Sequence, residues 1–354
     1  MKIHLNYYLF LVAFCIFSIG CLAQKNQQKK EMIVSGIGFY NLENLFDTII
    51  DPDTTKILQE DFTPKGSKNW TSDKYWEKIN NMAKVIADLG TEVIPSGLDL
   101  LGVAEVENKA VLEDLVNNKN IKNRNYQIVH YESSDKRGID VALLYNPAHF
   151  KVLSSTNYSL RTLDTTFFTR DQLLVNGELN GELIHVIIAH WPSRRGGEKR
   201  SRPKREVAAD LARSIIDSLQ KVEPKAKILF MGDLNDDPTN SSVKRHLKTV
   251  AKKENATTKF LFNPWESYYV KGIGTLAYRD TWNLFDQIIV SAPLTKTDYS
   301  SYRFYKAIIY DKPYMKQSSG RYKGYPFRSY AGGAYVGGYS DHFPVYLFLI
   351  KEAH

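Results

Sequence analysis

Apolar runs alternate with helix-spaced apolar positions along almost the whole chain. Ile33 to Tyr40 reads as a first strand. Ser72 reads as the N-cap of a helix carrying Trp76, Ile79, Ala83, Ile86 and Leu89 on one face. Leu98 to Val106 is a buried strand, a short helix follows from Lys109 to Val116, and Tyr126 to Tyr131 and Asp140 to Tyr145 are further strands. Gln172 to Leu179 and Leu183 to His190 flank Asn180-Gly181, a hairpin signal because both residues tolerate positive φ. A long helix is predicted from about Pro203 to Leu219, striped by Val207, Leu211, Ile215 and Leu219. Ile228 to Met231, Phe285 to Val290 and Val345 to Ile350 supply the last strands. Hairpins mixed with helix crossovers imply two sheets packed face to face with helices outside, in one domain.

The N-terminus stands apart from this pattern. Lys2 gives a basic start, and Leu5 to Ile19 is an apolar stretch too short for a comfortable transmembrane span. Cys21-Leu22-Ala23 places small residues where signal peptidase cuts, which would start the mature chain at Gln24. Gly20-Cys21 offers the other exit, a lipoprotein junction with Cys21 acylated, although Ser18 stands where an aliphatic residue is usual. Either route predicts export, to the periplasm or beyond, with a signal peptide at 1–23. A tether at 24–31, rich in lysine and glutamine, would then precede one domain over 32–352. Cys15 and Cys21 are the only cysteines, so the mature domain must hold together without a disulfide.

Composition adds little beyond this. Hydrophobic residues at 43% and charged residues at 24% fit an ordinary globular protein and argue against disorder. The net charge is +8, and removing Lys2 with the leader leaves 8 − 1 = +7. That excess suits a polyanionic partner without requiring one. No transmembrane segment is expected in the mature chain, and a monomer is expected.

The candidate chemistry lies at strand ends, where a rigid sheet can aim side chains. Gly232-Asp233-Leu234-Asn235 follows an apolar strand and presents a carboxylate beside an amide. Asn41 follows the first strand, and Glu105 closes the Leu98 strand, where an acid among apolar residues costs several kcal/mol unless it is paired or metal-bound. His190 ends the hairpin, Asp286 opens a later strand, and Asp341-His342 precedes the last one. Taken singly, each reads as a turn residue or a satisfied structural group. Their joint placement points to one site built from both ends of the chain.

Together the segments resemble the endonuclease/exonuclease/phosphatase superfamily, the DNase I-like fold. They are Phe39-Tyr40-Asn41-Leu42-Glu43-Asn44, Ala104-Glu105-Val106-Glu107-Asn108, His190-Trp191-Pro192-Ser193-Arg194, Gly232-Asp233-Leu234-Asn235, Asp286-Gln287-Ile288 and Ser340-Asp341-His342. They occur in the family's order and span about residues 33–350. The resemblance implies a four-layered α/β sandwich of two mixed sheets flanked by helices, and metal-dependent cleavage of a phosphate ester. Asn41 and Glu105 would be the main ligands of Mg²⁺ or Mn²⁺, helped by Asp341, a set of hard oxygens that offers zinc nothing. By the same resemblance His342, oriented by Asp286, sits beside the scissile phosphate and Asp233 prepares the attacking water. Asn235 would bond a phosphoryl oxygen, and His190 would protonate the leaving oxygen.

Arg170 matches a position where relatives often carry arginine. Arg137 and Arg194 are further phosphate-contact candidates, with a turn residue and a solvated charge run as the plainer readings. From Tyr314 to Tyr339, Tyr322, Tyr325, Phe327, Tyr330 and Tyr335 interleave with Arg321, Lys323 and Arg328, a pattern that can stack bases or simply wall the site. The expected function is an exported phosphodiesterase acting on nucleic acid with little base specificity. A phosphatase or phospholipase-type diesterase, acting on inositol phosphates or sphingomyelin, is the enzymatic alternative, and a binding protein on an inactive scaffold is the third reading.

Overall fold

Sheet pairing begins at Met32, and the computed structural model describes residues 31–161 and 167–353. The leader expected at 1–23, with its alternative exits at Cys21 and Ala23, lies outside the described residues, as does most of the tether. The first half of the fold comprises β1 (Met32–Leu45), α1 (Ser72–Asp88), β2 (Leu100–Val106), α2 (Lys109–Val116), β3 (Gln127–His130), β4 (Asp140–Tyr145) and β5 (Phe150–Tyr158). It continues with β6 (Gln172–Leu179), β7 (Glu182–His190), α3 (Glu198–Val222), β8 (Ile228–Asp233), β9 (Thr249–Val250), β10 (Leu261–Phe262) and α4 (Glu266–Tyr269). A small hairpin, β11 (Leu276–Tyr278) and β12 (Thr281–Asn283), precedes β13 (Asp286–Val290) and β14 (Arg303–Ile309). A second, β15 (Tyr330–Ala331) and β16 (Ala334–Tyr335), precedes β17 (Val345–Glu352).

Two mixed sheets carry the architecture, ordered β14-β17-β1-β2-β4-β3 and β5-β6-β7-β8-β13-β10-β9. Each has a parallel pair near its middle, β1/β2 in the first and β7/β8 in the second. The apolar side chains of these strands sort by face into separate cores. Ile37 and Phe39 of β1, Leu229 and Met231 of β8, and Val345 and Leu347 of β17 meet between the sheets. Tyr40 and Leu42 pack with α1 and α2 on one outer face, and Ile228 and Phe230 pack with α3 on the other. The result is a four-layered α/β sandwich, helices, sheet, sheet, helix. Central strands are buried on both faces, which is why they read as unbroken apolar runs. Each such side chain contributes about 1.5–3 kcal/mol by leaving water.

Several boundaries differ from the sequence reading, each for a physical reason. Thr71, not Ser72, occupies the cap position of α1, and Trp76 is half exposed while Tyr75, Met82 and Val85 join Ile79 and Ile86 on the buried face. Helix α3 starts at Glu198, ahead of the expected Pro203, and its first turns escape the apolar stripe because their inward positions are polar. Ser201 and Arg205 are buried there, and Arg205 Nε lies 2.8 Å from Asp236 Oδ1. Val207 points outward, and the face on the sheet is made by Ala208, Ala209, Ala212, Ile215 and Ile216. Strands β5 and β14 have no counterpart in the apolar pattern. Both lie at sheet edges and expose much of their length. No helix of the described residues is long and apolar enough to cross a membrane.

One ion cluster ties the two sheets together at the start of β7. Glu182 receives Lys227 Nζ at 2.6 Å, Ser301 Oγ at 2.7 Å and the Tyr302 N–H at 3.2 Å, and Lys351 of β17 reaches it at 3.1 Å. Burial would raise the carboxyl's pKa, but Lys227, Ser301, Tyr302 and Lys351 outweigh it and hold it at about 2, against an ordinary 4.5. The stabilisation is therefore complete above the ordinary value and disappears as pH falls through about 2. Glu182→Gln should cost about 2–3 kcal/mol at pH 7. The gap between variant and wild type in urea unfolding should close progressively below pH 4.5.

Candidate active site

The C-terminal ends of the two parallel pairs face each other across the sandwich. Asn41 of β1 donates from Nδ2 to Asp233 Oδ2 of β8 at 3.1 Å. His190 Nε2, at the end of β7, lies 3.5 Å from Asp233 Oδ2 and 3.8 Å from Glu105 Oε1 of β2. Register places His190 beside Asp233 on one side and Asp286 beside it on the other. Gly232 makes this closeness possible, since a Cβ there would stand 2.1 Å from the Ala189 carbonyl oxygen.

The backbone is strained where β1 and β2 end. Glu105 has φ 62 and sits where both of its ladders shift register, and Glu43 and Asn44 have φ 50 and 51. Left-handed glutamates are uncommon and are held only when the surroundings over-determine them. Here the bulge turns the Glu105 carboxylate so that Oε2 accepts the Asn44 N–H at 2.9 Å while Oε1 faces His190.

Asp286 and His342 form a buried dyad, with Nδ1 donating to Oδ2 at 2.7 Å. Thr275 Oγ1 also donates to Asp286 Oδ2. Ser340 shapes the approach. Its hydroxyl donates to the Asn41 carbonyl at 2.7 Å and accepts the His342 N–H at 3.1 Å, which fastens Ser340-Asp341-His342 to β1. Burial alone would lower the His342 pKa, but the carboxylates of Asp286, Asp233 and Asp341 hold it well above the usual value. Burial pushes Asp233 up to about 6, reinforced by Asp286 and Glu105 and opposed by His342. His190 behaves oppositely. Burial, then the charges of Arg170, Arg137 and His342, hold it well below the usual value, so it is neutral.

A further set of charges, Glu43, Lys78 and Arg328, completes the centre, and the sequence showed Arg328 only among the cations of the aromatic segment. Glu43, buried, accepts the Ser329 N–H at 2.8 Å and lies 3.5 Å from the fully buried Lys78 Nζ. Arg328 bridges Glu43 at 3.2 Å and Asp341 at 2.8 Å. Lys78 stands on a helix among apolar residues, so its sequence carries no signal for this role. Glu43 appeared in the sequence only as a member of the Phe39–Asn44 segment, past the expected end of the first strand.

The remaining expected residues divide. Asn235 (φ 49) donates from Nδ2 to the Trp191 carbonyl at 2.9 Å. Arg170 is buried, with Nη1 on Asp135 at 3.0 Å and Nη2 on the Trp191 carbonyl at 2.6 Å. Arg137 lies 3.7 Å from Asp135, and its charge helps to hold the His190 pKa down. Arg194 departs from the expected phosphate contact. Its Nε donates to the Asn235 carbonyl at 2.9 Å, and Nη2 serves Asp236, Asp237 and Asn240 at 3.0–3.1 Å. It clamps the loop after β8 because Asp236 and Asp237, one and two residues beyond the Asp233–Asn235 turn, need a counter-ion.

Two groupings at the centre could hold a divalent cation. Asn41 and Glu105 offer hard oxygens on adjacent strands, Asn41 in register with Ala104. Asp233, Asp286 and His342 bring ligand atoms within 4.8 Å of one another. The second set fits less well, because Asp286 keeps His342 protonated, which makes it a counter-ion instead of a ligand. Asp341 is paired with Arg328, so its expected helping role is shared with a cation.

The sequence profile of the endonuclease/exonuclease/phosphatase family matches residues 36–351. The chain belongs to this family. No curated protein sequence matches it significantly. Its fold is similar to that of humanized TDP2 from D. rerio carrying 14 mutations (TM-score 0.54, 14% identity, 89% of this chain and 98% of that one). It is also similar to D. rerio TDP2 complexed with a single-strand DNA product (TM-score 0.51, 15% identity, 89% and 98%). A mannosyl-6-phosphatase from Bacteroides thetaiotaomicron matches as well (TM-score 0.51, 15% identity, 89% and 99%). At these identities the likeness establishes the fold alone. Enzymes of the endonuclease/exonuclease/phosphatase family hydrolyse phosphoric esters with divalent metals, and the acids and histidines described above are groups suited to that chemistry.

The position of Arg194 can be tested by stability. Arg194→Ala should destabilise the fold by about 2 kcal/mol, because it leaves Asp237 short of its counter-ion. Arg195→Ala, at an exposed neighbour, should leave the urea midpoint within experimental scatter. Equal midpoints for the two variants would return Arg194 to the substrate-gripping role.

Proposed function

We propose that this chain is a Mg²⁺- or Mn²⁺-dependent phosphodiesterase that cleaves nucleic acid with little base specificity. The observation that carries this reading is a pair of cavities flanking the carboxylate centre. One, of about 410 Å³, is walled by Tyr278, Arg321, Tyr322, Tyr325 and Arg328. The other, of about 540 Å³, includes Arg137 and Arg170. Arg328 joins the first cavity to Asp341, and Arg170 joins the second to the Trp191 carbonyl, next in the chain to His190. A substrate crossing the centre would meet rings and cations on one side and cations on the other. That arrangement suits a strand with stackable bases and a charged backbone. The DNA product bound to the TDP2 neighbour supports the same reading.

The metal, held by Asn41 and Glu105, would act as a Lewis acid on the phosphoryl group. Asp233 accepts a proton from the attacking water, a task suited to a carboxylate raised to about 6. His342, kept cationic by Asp286, offers Nε2–H to the charge that develops on the phosphoryl and leaving oxygens. Neutral His190 holds the water or a phosphoryl oxygen by a hydrogen bond, so the proton donor on this reading is His342 and not His190. Asn235 has a second amide hydrogen for a phosphoryl oxygen.

A phosphatase acting on a sugar phosphate is the second reading, supported by the mannosyl-6-phosphatase neighbour and by tyrosines that can stack a sugar ring as well as a base. Export is part of the proposal, supported by the leader-like N-terminus and by the absence of cysteine beyond Cys21.

The test incubates residues 24–354 with Mg²⁺ or Mn²⁺ and plasmid DNA, single-stranded RNA, mannose 6-phosphate, inositol polyphosphate or sphingomyelin. Metal-dependent nicking or degradation is expected, abolished by EDTA. Glu105→Ala and His342→Ala should each lower the rate by about 10²-fold or more. Intact nucleic acid with release of phosphate or phosphocholine would sink the nuclease reading in favour of the phosphatase or lipase one. In the dyad, Asp286→Asn should reduce kcat by about 10²-fold with little change in KM, since it removes the charge that keeps His342 protonated without touching a phosphate-binding group.

A further inference from the structure

The basic cavity beside His190 holds more positive charge than one scissile phosphate needs. Lys136, Arg137, Arg170, Arg195, Arg200 and Lys204 line it against one acid, Asp135, a formal balance of 6 − 1 = +5. Three buried donors in its wall have no hydrogen-bond partner among the described residues: Thr169 Oγ1, Arg170 Nε and Arg137 Nη2. Thr169 and Arg170 are 3% and 5% exposed. A buried donor left unmade costs about 1–3 kcal/mol, so three around one cavity call for a ligand rich in acceptors.

The cavity is also rigid and directly joined to the catalytic centre. Asp135 and the Trp191 carbonyl fix the Arg170 guanidinium from two sides, and Asn235 donates to the same carbonyl. Pro192 and Ser193, which follow His190 by two and three positions, form one wall, and the opening turn of α3 forms another. An anion seated here is therefore held at a fixed offset from the scissile bond.

We propose that this cavity is a second anion subsite, which takes a non-scissile phosphate of the substrate, the next one along a nucleic acid backbone. The proposal rests on the nuclease reading and specifies what that enzyme requires: a substrate with at least two phosphates, of which the centre cleaves one. Acceptor oxygens of the second phosphate satisfy Thr169, Arg170 and Arg137, and the rim cations Arg195, Arg200 and Lys204 supply long-range attraction.

The experiment compares three substrates at fixed ionic strength and metal concentration. They are bis(p-nitrophenyl) phosphate, a thymidine dinucleotide with only its internucleotide phosphate, and that dinucleotide with one more phosphate at its 5′ or 3′ end. Each is assayed with wild type and with the Arg195→Ala/Arg200→Ala double variant, whose two positions are exposed, so that unfolding is not at issue. In the wild type the extra phosphate at one of the two ends should lower KM by about tenfold or more. In the double variant that advantage should shrink severalfold, with kcat retained. No gain from the extra phosphate at either end, or a gain that survives the double substitution in full, overturns the subsite while cleavage of the one-phosphate dinucleotide still upholds the nuclease reading. Failure to cleave any nucleotide overturns that reading, and the subsite with it.

Discussion

Five carboxylates, Glu43, Glu105, Asp233, Asp286 and Asp341, converge where β1, β2, β8 and β13 meet, and their mutual repulsion is the constraint the rest of the site answers. Burial raises Glu43, and Asp341 adds to it; Asp286 and Glu105 do the same to Asp233. Three protein cations stand among them. His342 sits on Asp286, Lys78 near Glu43, and Arg328 between Glu43 and Asp341. The formal balance is 3 − 5 = −2, the deficit one divalent cation would fill. Crowding that would be costly in a merely structural cluster becomes useful when a metal and a phosphate must be held together.

The sandwich makes such crowding tolerable because its ends are stiff. The inter-sheet core fixes β1 against β8 and β13, and the Glu182 cluster ties the sheets again at the start of β7. Beyond β8 the chain turns under Arg194 and Arg205, which neutralise Asp236 from two sides. Two arginines thus hold the loop that continues from the Asp233–Asn235 segment. The loop geometry that aims Asp233 is set by charges on α3 and on the segment after β7.

Much of this was legible in the chain, and the limits have physical causes. Strands buried on both faces announced themselves, and the residues at their ends were the ones that meet: Asn41, Glu105, His190, Asp233, Asp286 and His342. The inner start of α3 was hidden because Ser201 and Arg205 break the apolar stripe, and edge strands β5 and β14 were hidden because their outer faces are wet. The pairing of Arg194 was hidden because its partners, Asp236, Asp237 and Asn240, face it only after the loop folds. Lys78 was invisible for a similar reason. Its bonds go to Ser329 Oγ and the Tyr339 carbonyl, 251 and 261 positions away. Apolar patterning reports burial, whereas the pairing of buried charges is decided by tertiary contacts that no local window contains.

The aromatic segment before Ser340 shows how one composition can serve two ends. Tyr330 and Tyr335 pack on Trp70, and Asn81 Nδ2 donates to the Gly337 and Gly338 carbonyls, so this half is fastened to α1. Tyr322 is 53% exposed and lines the open cavity with Tyr325 and Arg321. The packed half fixes Ser329, whose N–H bonds Glu43, and so sets the position of Arg328 between the cavity and Asp341. A ring bound against Tyr322 and Tyr325 would thus be positioned by the same framework that holds the carboxylates. On the proposed function, specificity would reside in the free half of the segment, where substitutions would alter what is stacked without disturbing what is cleaved.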